Sequence, residues 1–344
     1  IDGDLTLYPG YTLTIESGVT VTVTAGVDLD IRGLLDIQGT ETAPVTITGS
    51  VNPTDDWNNT GADGIRINAD QGGSLTATYV EVSHLHTGFQ IDCCYASDLT
   101  FSISDSTFSD NTVGLFVYDG PNTVVVERST FQNNTFAVKG VDTSISESIF
   151  SGNTYGLHFT SGVNVTCSEF TDNVQGITSA SSAELSYSTL TNNIVALDDP
   201  WSSFDISHNA ITANETGLYT ESSDTSFTNN NIYNNTTWNV RNGTTSSQVL
   251  DSNWWNTTVV SDIVATIYDG SDESGLGLVT GEPVLTEVVD TIGVCADAEE
   301  TEEEVDDTAP AEVSNVRVHK KIWRKRLILR WHNHLDSDFD HVMI

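Results

Sequence analysis

The chain has 344 residues and a formal charge of −37, from 12 Lys+Arg against 49 Asp+Glu, with 38% hydrophobic residues. That is enough apolar material for a sizeable core in one large domain or two ordinary ones, and the acidity argues against nucleic acid or an anionic membrane surface as the main partner. No apolar run approaches the ~18 residues of a membrane helix, and with Ile1 first and Met343 the sole methionine, any start codon or signal peptide is expected outside this chain.

The charge is uneven: residues 309–344 carry +3 and the remainder −40. Such an imbalance suits a saline exterior, where salt screens self-repulsion. Ca²⁺ is the counter-ion it invites, although no cofactor is required by any motif.

Residues 4–50 read as short alternating strands with glycine at the bends (LTLYPGYTLTIESGVTVTVTAG), the first coils of a stack. Val51 to Gly73 has turn composition and is expected to loop out, a place for a binding site. Between residues 98 and 241 one phrase recurs, as STFSDNTVGLFV from Ser106, STFQNNTFAVKG from Ser129 and SIFSGNTYGLHF from Ser148. Its Asn falls at 111, 134, 153, 173, 193, 214 and 235, a mean spacing of about 20.7 residues, and a degenerate copy from Val82 has Leu85 there instead. That period, with strand-like alternation and no helical pattern, predicts one solenoid turn per repeat.

Stacked coils align equivalent residues about 4.8 Å apart. The row Phe108, Phe131, Phe150, Phe170, Leu190, Ile211 and Ile232 is therefore the expected core column, beside an inner Ser/Asn row. The recurring Asn is expected at a corner, in a left-handed conformation, bonded to the Asn of the next coil. Asn253-Trp254-Trp255 opens a closing segment over 252–286, with the tryptophans plugging the open end.

Residues 294–307 hold eight acids in fourteen and read as a solvated linker. Pro310, the alternation Val313/Val316/Val318, Leu327-Ile328-Leu329 before Trp331, and Asp336–Ile344 follow. That stretch resembles the opening of a fibronectin type III module, which needs about 100 residues, so it is incomplete here. The basic KKIWRKR run then belongs to a hairpin of that module. Cys93, Cys94, Cys167 and Cys295 show no metal-binding spacing; one disulfide is open to them, and adjacent Cys93 and Cys94 pair only with strain.

With its Asn ladder and its closing Asn-Trp-Trp, Ile-Tyr-Asp and Pro-Val-Leu phrases, the chain over about residues 1–290 resembles right-handed parallel β-helix repeat proteins of the pectate-lyase-like fold family. The expected fold class is all-β: a right-handed parallel β-helix of 20–21-residue coils over 1–293, an acidic linker over 294–308, and a partial β-sandwich over 309–344.

Aligning the coils by their Asn places Gln90, Phe116, Lys139, His158, Thr178, Asp198 and Tyr219 in one outward row. Lys139 then neighbours His158, with Asp198 two coils further. Aromatic, amide and charged groups on one exposed sheet suit a polysaccharide groove, so Gln90, Phe116, Lys139, His158 and Tyr219 are candidate ligand-binding residues. Lys139, His158 and Asp198 are candidates for catalysis. The family's lyases use an Arg or Lys base with Ca²⁺ on clustered Asp, but their Arg-Pro motif is missing here. Its hydrolases pair carboxylates, whereas Asp198-Asp199 stands alone, Gly-His-Gly is absent and Arg66-Ile67-Asn68 matches only in part. His84 and His86, two apart on an expected strand with Asp92 and Cys93 beyond, are a weak metal pair. Similar repeats occur in periplasmic copper-accessory proteins of the nitrous-oxide system. Eight Asn-X-Ser/Thr sites, among them Asn133, Asn214 and Asn242, permit glycosylation at a frequency near chance.

These readings converge on an extracellular or cell-surface β-helix within a longer chain, non-catalytic, binding a glycan or acting in adhesion along its face. A polysaccharide lyase or glycoside hydrolase is the alternative, and a structural spacer the third.

Overall fold

Short runs of alternating apolar and polar residues, each ended by a residue held in the left-handed region, wind the chain into a parallel β-solenoid. The computed structural model describes residues 1–24, 26–49, 64–92, 99–118, 123–179, 183–199, 204–222, 226–291, 295, 314–321 and 326–332. The chain divides into two units, Ile1–Ala296 and Asp297–Ile344.

In the first unit each coil lays one strand on each of three faces, for example Val113–Val117 on the first, Val124–Glu127 on the second and Thr130–Gln132 on the third. All pairing between coils is parallel, as where Phe108 meets Phe131 and Phe131 meets Phe150. The third face carries ten strands, from Thr20–Val23 to Asn231–Tyr233. The other two join into one sheet of twenty, because Phe136–Ser146 and Tyr155–Thr166 run unbroken around the corner between them. Coil length, read from the Asn rungs, is 19 to 23 residues.

Two polar ladders stand inside the corners. From Asn111 to Asn235 each side chain donates Nδ2–H to the next Oδ1 at 2.9–3.1 Å, and the same oxygen also accepts the backbone N–H of the preceding Asn. A second ladder runs from Ser106 through Ser188 into Asn209, Asn230 and Asn253, each side-chain oxygen accepting the backbone N–H one coil back. The left-handed residue is not the ladder Asn, as expected from sequence, but the one before it: Asp110, Asn133, Gly152, Asp172 and Asn192 have φ of 55–66°. The reason is a division of labour. The preceding residue turns the chain, and Asx or Gly bears that conformation at low cost, while the ladder Asn, which is not left-handed, directs its amide to the next coil.

The apolar column from Phe108 to Ile232 is fully buried, and its rings stack at 4.6–5.1 Å. Leu190 already occupies one rung of that column. Phe150→Leu is therefore expected to cost only about 1–2 kcal/mol, measured by urea denaturation, whereas a polar residue there would unfold the coil.

Gly64–Asn68, expected to loop out, is a strand of the first face paired with Asp28–Ile31 and Thr87–Asp92; Ile65 and Ile67 are buried by the stack. Of the rest of that expected loop, residues 51–63 lie outside the described residues, as do Cys93 and Cys94, whereas Ala69–Gln71 form a short 3-10 turn ended by Gly72 in the left-handed region. At the far end Trp255 is buried with Ile263 of the short helix Val260–Val264, closing the core, while Trp254 is half-buried.

Beyond the cap the chain turns back. Ser252 N–H donates to Pro283 O at 2.6 Å, Leu285 N–H to Asn253 O at 3.0 Å, and the Asn231 amide grips both backbone groups of Val289 at 2.7 and 2.8 Å. Cys295 is then disulfide-bonded to Cys167, 128 residues earlier. Cys295 is the one described residue of the segment expected as a linker, and it belongs to the first unit.

In the second unit Ser314–Lys321 and Arg326–His332 form an antiparallel hairpin. Pro310 and Asp336–Ile344, which carried part of the fibronectin-like resemblance, lie outside the described residues. No helix among the described residues is long and apolar enough to cross a membrane.

Candidate functional site

The first face carries the charged and aromatic side chains. On its strands the residue between the two outward positions is small because coils pass closely; a Cβ on Gly156 would lie 2.4 Å from Gly176 O. Two residues then turn inward, so that Phe136 and Lys139 both emerge on the outside. One row therefore runs Gln90–Phe116–Lys139–His158–Thr178–Asp198–Tyr219 in direct cross-strand register, as the sequence spacing predicts. It continues to Arg66 before Gln90 and to Arg241 and Tyr268 after Tyr219.

The members of this row differ in what they touch. Gln90 donates to Asp92 at 2.7 Å, and Asp92 is ion-paired with Arg66, so this end is internally satisfied. Lys139 Nζ lies 4.8 Å from the centre of the Phe136 ring and 5.7 Å from that of Phe116, a cation held over two aromatic rings. Phe136 and Tyr155 stack on each other at 4.7 Å, and His158 tilts against both at 5.5 and 5.4 Å. Phe136 and Tyr155, which the row read from the sequence did not include, thus partly cover each other, because residues one rung apart stand at stacking distance.

Thr178 is buried and donates to Gln175, whose amide in turn donates to Asp198. Asp198 is two rungs from His158, about 10 Å away, so Lys139, His158 and Asp198 are not assembled into one reacting centre. The Tyr219 hydroxyl donates to Glu221; burial first, then that carboxylate, push its pKa up to about 12.

His158 has a pKa below its ordinary 6.5, because burial disfavours the imidazolium and Lys139 adds like charge. Its Nδ1 is buried without a hydrogen-bond partner. As pH falls through about 6.5 the unfolded chain takes up this proton before the folded one, so stability is full above that value and declines towards the folded pKa. His158→Gln is expected to flatten that acid limb, read from urea denaturation midpoints across the titration. An unchanged limb would show that His158 does not set it.

His84 and His86 do not share a strand face. His84 is a left-handed corner residue with φ of 56°, Leu85 points into the core, and His86 bonds Thr87 at 3.3 Å. The corner falls where Leu85 replaces the ladder Asn, so the strand spacing expected for a metal pair does not apply. Among the described residues no group of three or more His, Cys, Asp or Glu is placed to hold a metal ion. Of the glycosylation sequons, Asn214 and Asn242 are fully buried and unavailable.

Sequence spacing missed Trp238, Arg241 and Tyr268. The row lies five residues after each Asn up to Tyr219, but the same count from Asn235 reaches Val240, which is buried. One extra residue in that coil shifts the outward position to Arg241, and the register alone reveals it.

The three-faced parallel stack and its ladders define a β-solenoid. Residues 17–196, just over half the chain, match the family described as periplasmic copper-binding protein (NosD), and the chain belongs to that family. Among solved structures it is similar to an alginate lyase from Paenibacillus sp. str. FPU-7, at 12% identity and a TM-score of 0.34, over 82% of this chain and 98% of that one. Comparison with curated proteins gave no match.

Proposed function

We propose that the first face is a non-catalytic carbohydrate-binding surface on an exported solenoid. The observation that carries this reading is the cluster of Lys139, Phe136, Tyr155 and His158, half-buried on the outward ladder, an apolar slab beside a cation and an imidazole. Sugars are bound by such pairings of apolar surface with few polar groups. Two features support export: the periplasmic description of the family and the Cys167–Cys295 disulfide, since such bonds persist in oxidising compartments. The alternative, a lyase or hydrolase, would draw on Lys139 and His158, which are cross-strand neighbours, with Asp198 two rungs further at about 10 Å. Copper, which the family description names, finds no ligand group among the described residues, and no step is derived through it.

The test is affinity electrophoresis of the full chain in gels containing acidic or neutral polysaccharides, with assays for unsaturated uronates and for reducing ends alongside. Retardation without product is expected, and Lys139→Ala should weaken it about tenfold through loss of charge and cation–π contact. Product formation abolished by Lys139→Ala or His158→Ala would replace this reading with a lyase or hydrolase. Absence of retardation and product would leave a structural spacer.

A further inference from the structure

The first face holds a second cluster nearer the cap. Arg241 lies one rung from Tyr219 and one from Tyr268, its guanidinium 5.1 and 5.8 Å from their ring centres. Trp238, on the same strand, meets Tyr268 at 5.3 Å and an angle of 53°, so neither ring covers the other's face. The neighbouring carboxylates are engaged by the phenols: Tyr219 donates to Glu221, and Tyr268 to Glu273 at 2.6 Å. These bonds fix both rings.

Among the described residues the side-chain ion pairs are made by Arg32, Arg66 and Arg128. Lys139 and Arg241 make none, in a chain with 49 acidic residues, and each is held between two aromatic rings of the same face. Arg66 occupies the same row and is neutralised by Asp92, so position in the row does not by itself leave a cation unpaired.

We infer that Trp238, Arg241 and Tyr268 form a second saccharide subsite, and that the face takes one linear chain laid along the solenoid axis across both clusters. This rests on the carbohydrate-binding reading above. The register runs Lys139–His158–Thr178–Asp198–Tyr219–Arg241, five rungs or about 24 Å. A hexose in an extended chain advances by about one rung, so roughly six units reach from one cluster to the other. His158 stands at the first intervening step, whereas Thr178 is buried and Asp198 and Tyr219 are bonded to Gln175 and Glu221, so the two clusters carry the binding and the rungs between them only the path. A chain long enough to engage both subsites binds the second at a high effective concentration, whereas a short one engages either alone.

The experiment is calorimetric titration of the full chain with size ladders of oligogalacturonate and of cello-oligosaccharides, with intact polysaccharide gels in parallel. Affinity for at least one ladder is expected to rise about a hundredfold between roughly four and roughly eight units. Arg241→Ala, at an exposed position outside the core, should return the longer chain to the affinity of the shorter one and reduce the shorter one from two binding sites per protein to one. Affinity that does not depend on length, or an Arg241→Ala variant that keeps full affinity for long chains while Lys139→Ala loses it, overturns the second subsite and leaves carbohydrate binding standing. Failure of every ladder and every polysaccharide to bind overturns both.

Discussion

Asn153→Ala is expected to lower the unfolding free energy by about 4 kcal/mol, from the buried hydrogen-bonding groups it orphans. Asn153 Oδ1 accepts the Asn134 backbone N–H at 2.9 Å and its Nδ2–H at 3.1 Å, while Asn153 Nδ2 donates to Phe131 O and Asn173 Oδ1, both at 3.0 Å. The Asn134 amide retains Phe108 O and Gln132 O as acceptors, but its backbone N–H loses the ladder oxygen. The Phe131 carbonyl, on a fully buried residue, loses its side-chain donor too. Each such buried group costs about 1–3 kcal/mol, and the void left by the amide adds to it. Asn153→Asp should be at least as damaging, because a carboxylate would face the Phe131 carbonyl and the Asn173 oxygen. The measurement is urea denaturation followed by far-ultraviolet circular dichroism. A loss below about 1 kcal/mol would show that the ladder is a consequence of stacking and not a cause of stability.

Opening the Cys167–Cys295 bond is the second large effect. It closes a loop of 128 residues, and the chain-entropy relation gives about 5 kcal/mol for a loop of that size. Locally, the segment from Pro283 to Cys295 would keep the two bonds at its root and the Asn231 clamp on Val289. Reduction, or Cys295→Ser, is therefore expected to lower the denaturation midpoint strongly while preserving the solenoid below it. Hydrogen exchange should rise first in the segment after Val289. Equal midpoints for the oxidised and reduced chain would mean that the bond does not constrain the unfolded state, and protection unchanged after Val289 would mean that it does not hold that segment.

Much of the site was legible because a solenoid converts sequence period into spatial adjacency. Counting five residues from each Asn found the whole row from Phe116 to Tyr219, and the Phe108–Ile232 column was found in the same way. The count failed where the coil changed length. Arg241 was lost to one inserted residue after Asn235, and Gly64–Asn68 was read as loop because turn-rich residues precede it. His84 and His86 were misplaced for a related reason: strand alternation was assumed across a corner.

Local pattern by itself determined the class of fold, the stacking partners in the regular coils and the inward ladders. These follow from contacts between residues one period apart, and the period is written in the chain. Tertiary structure alone decided which residue turns each corner, how Phe136 and Tyr155 cover one another, which cations lack a carboxylate, and that Cys167 meets Cys295. Those outcomes depend on side-chain directions and on a return of the chain across its own coils, and a contact 128 residues apart leaves no periodic trace.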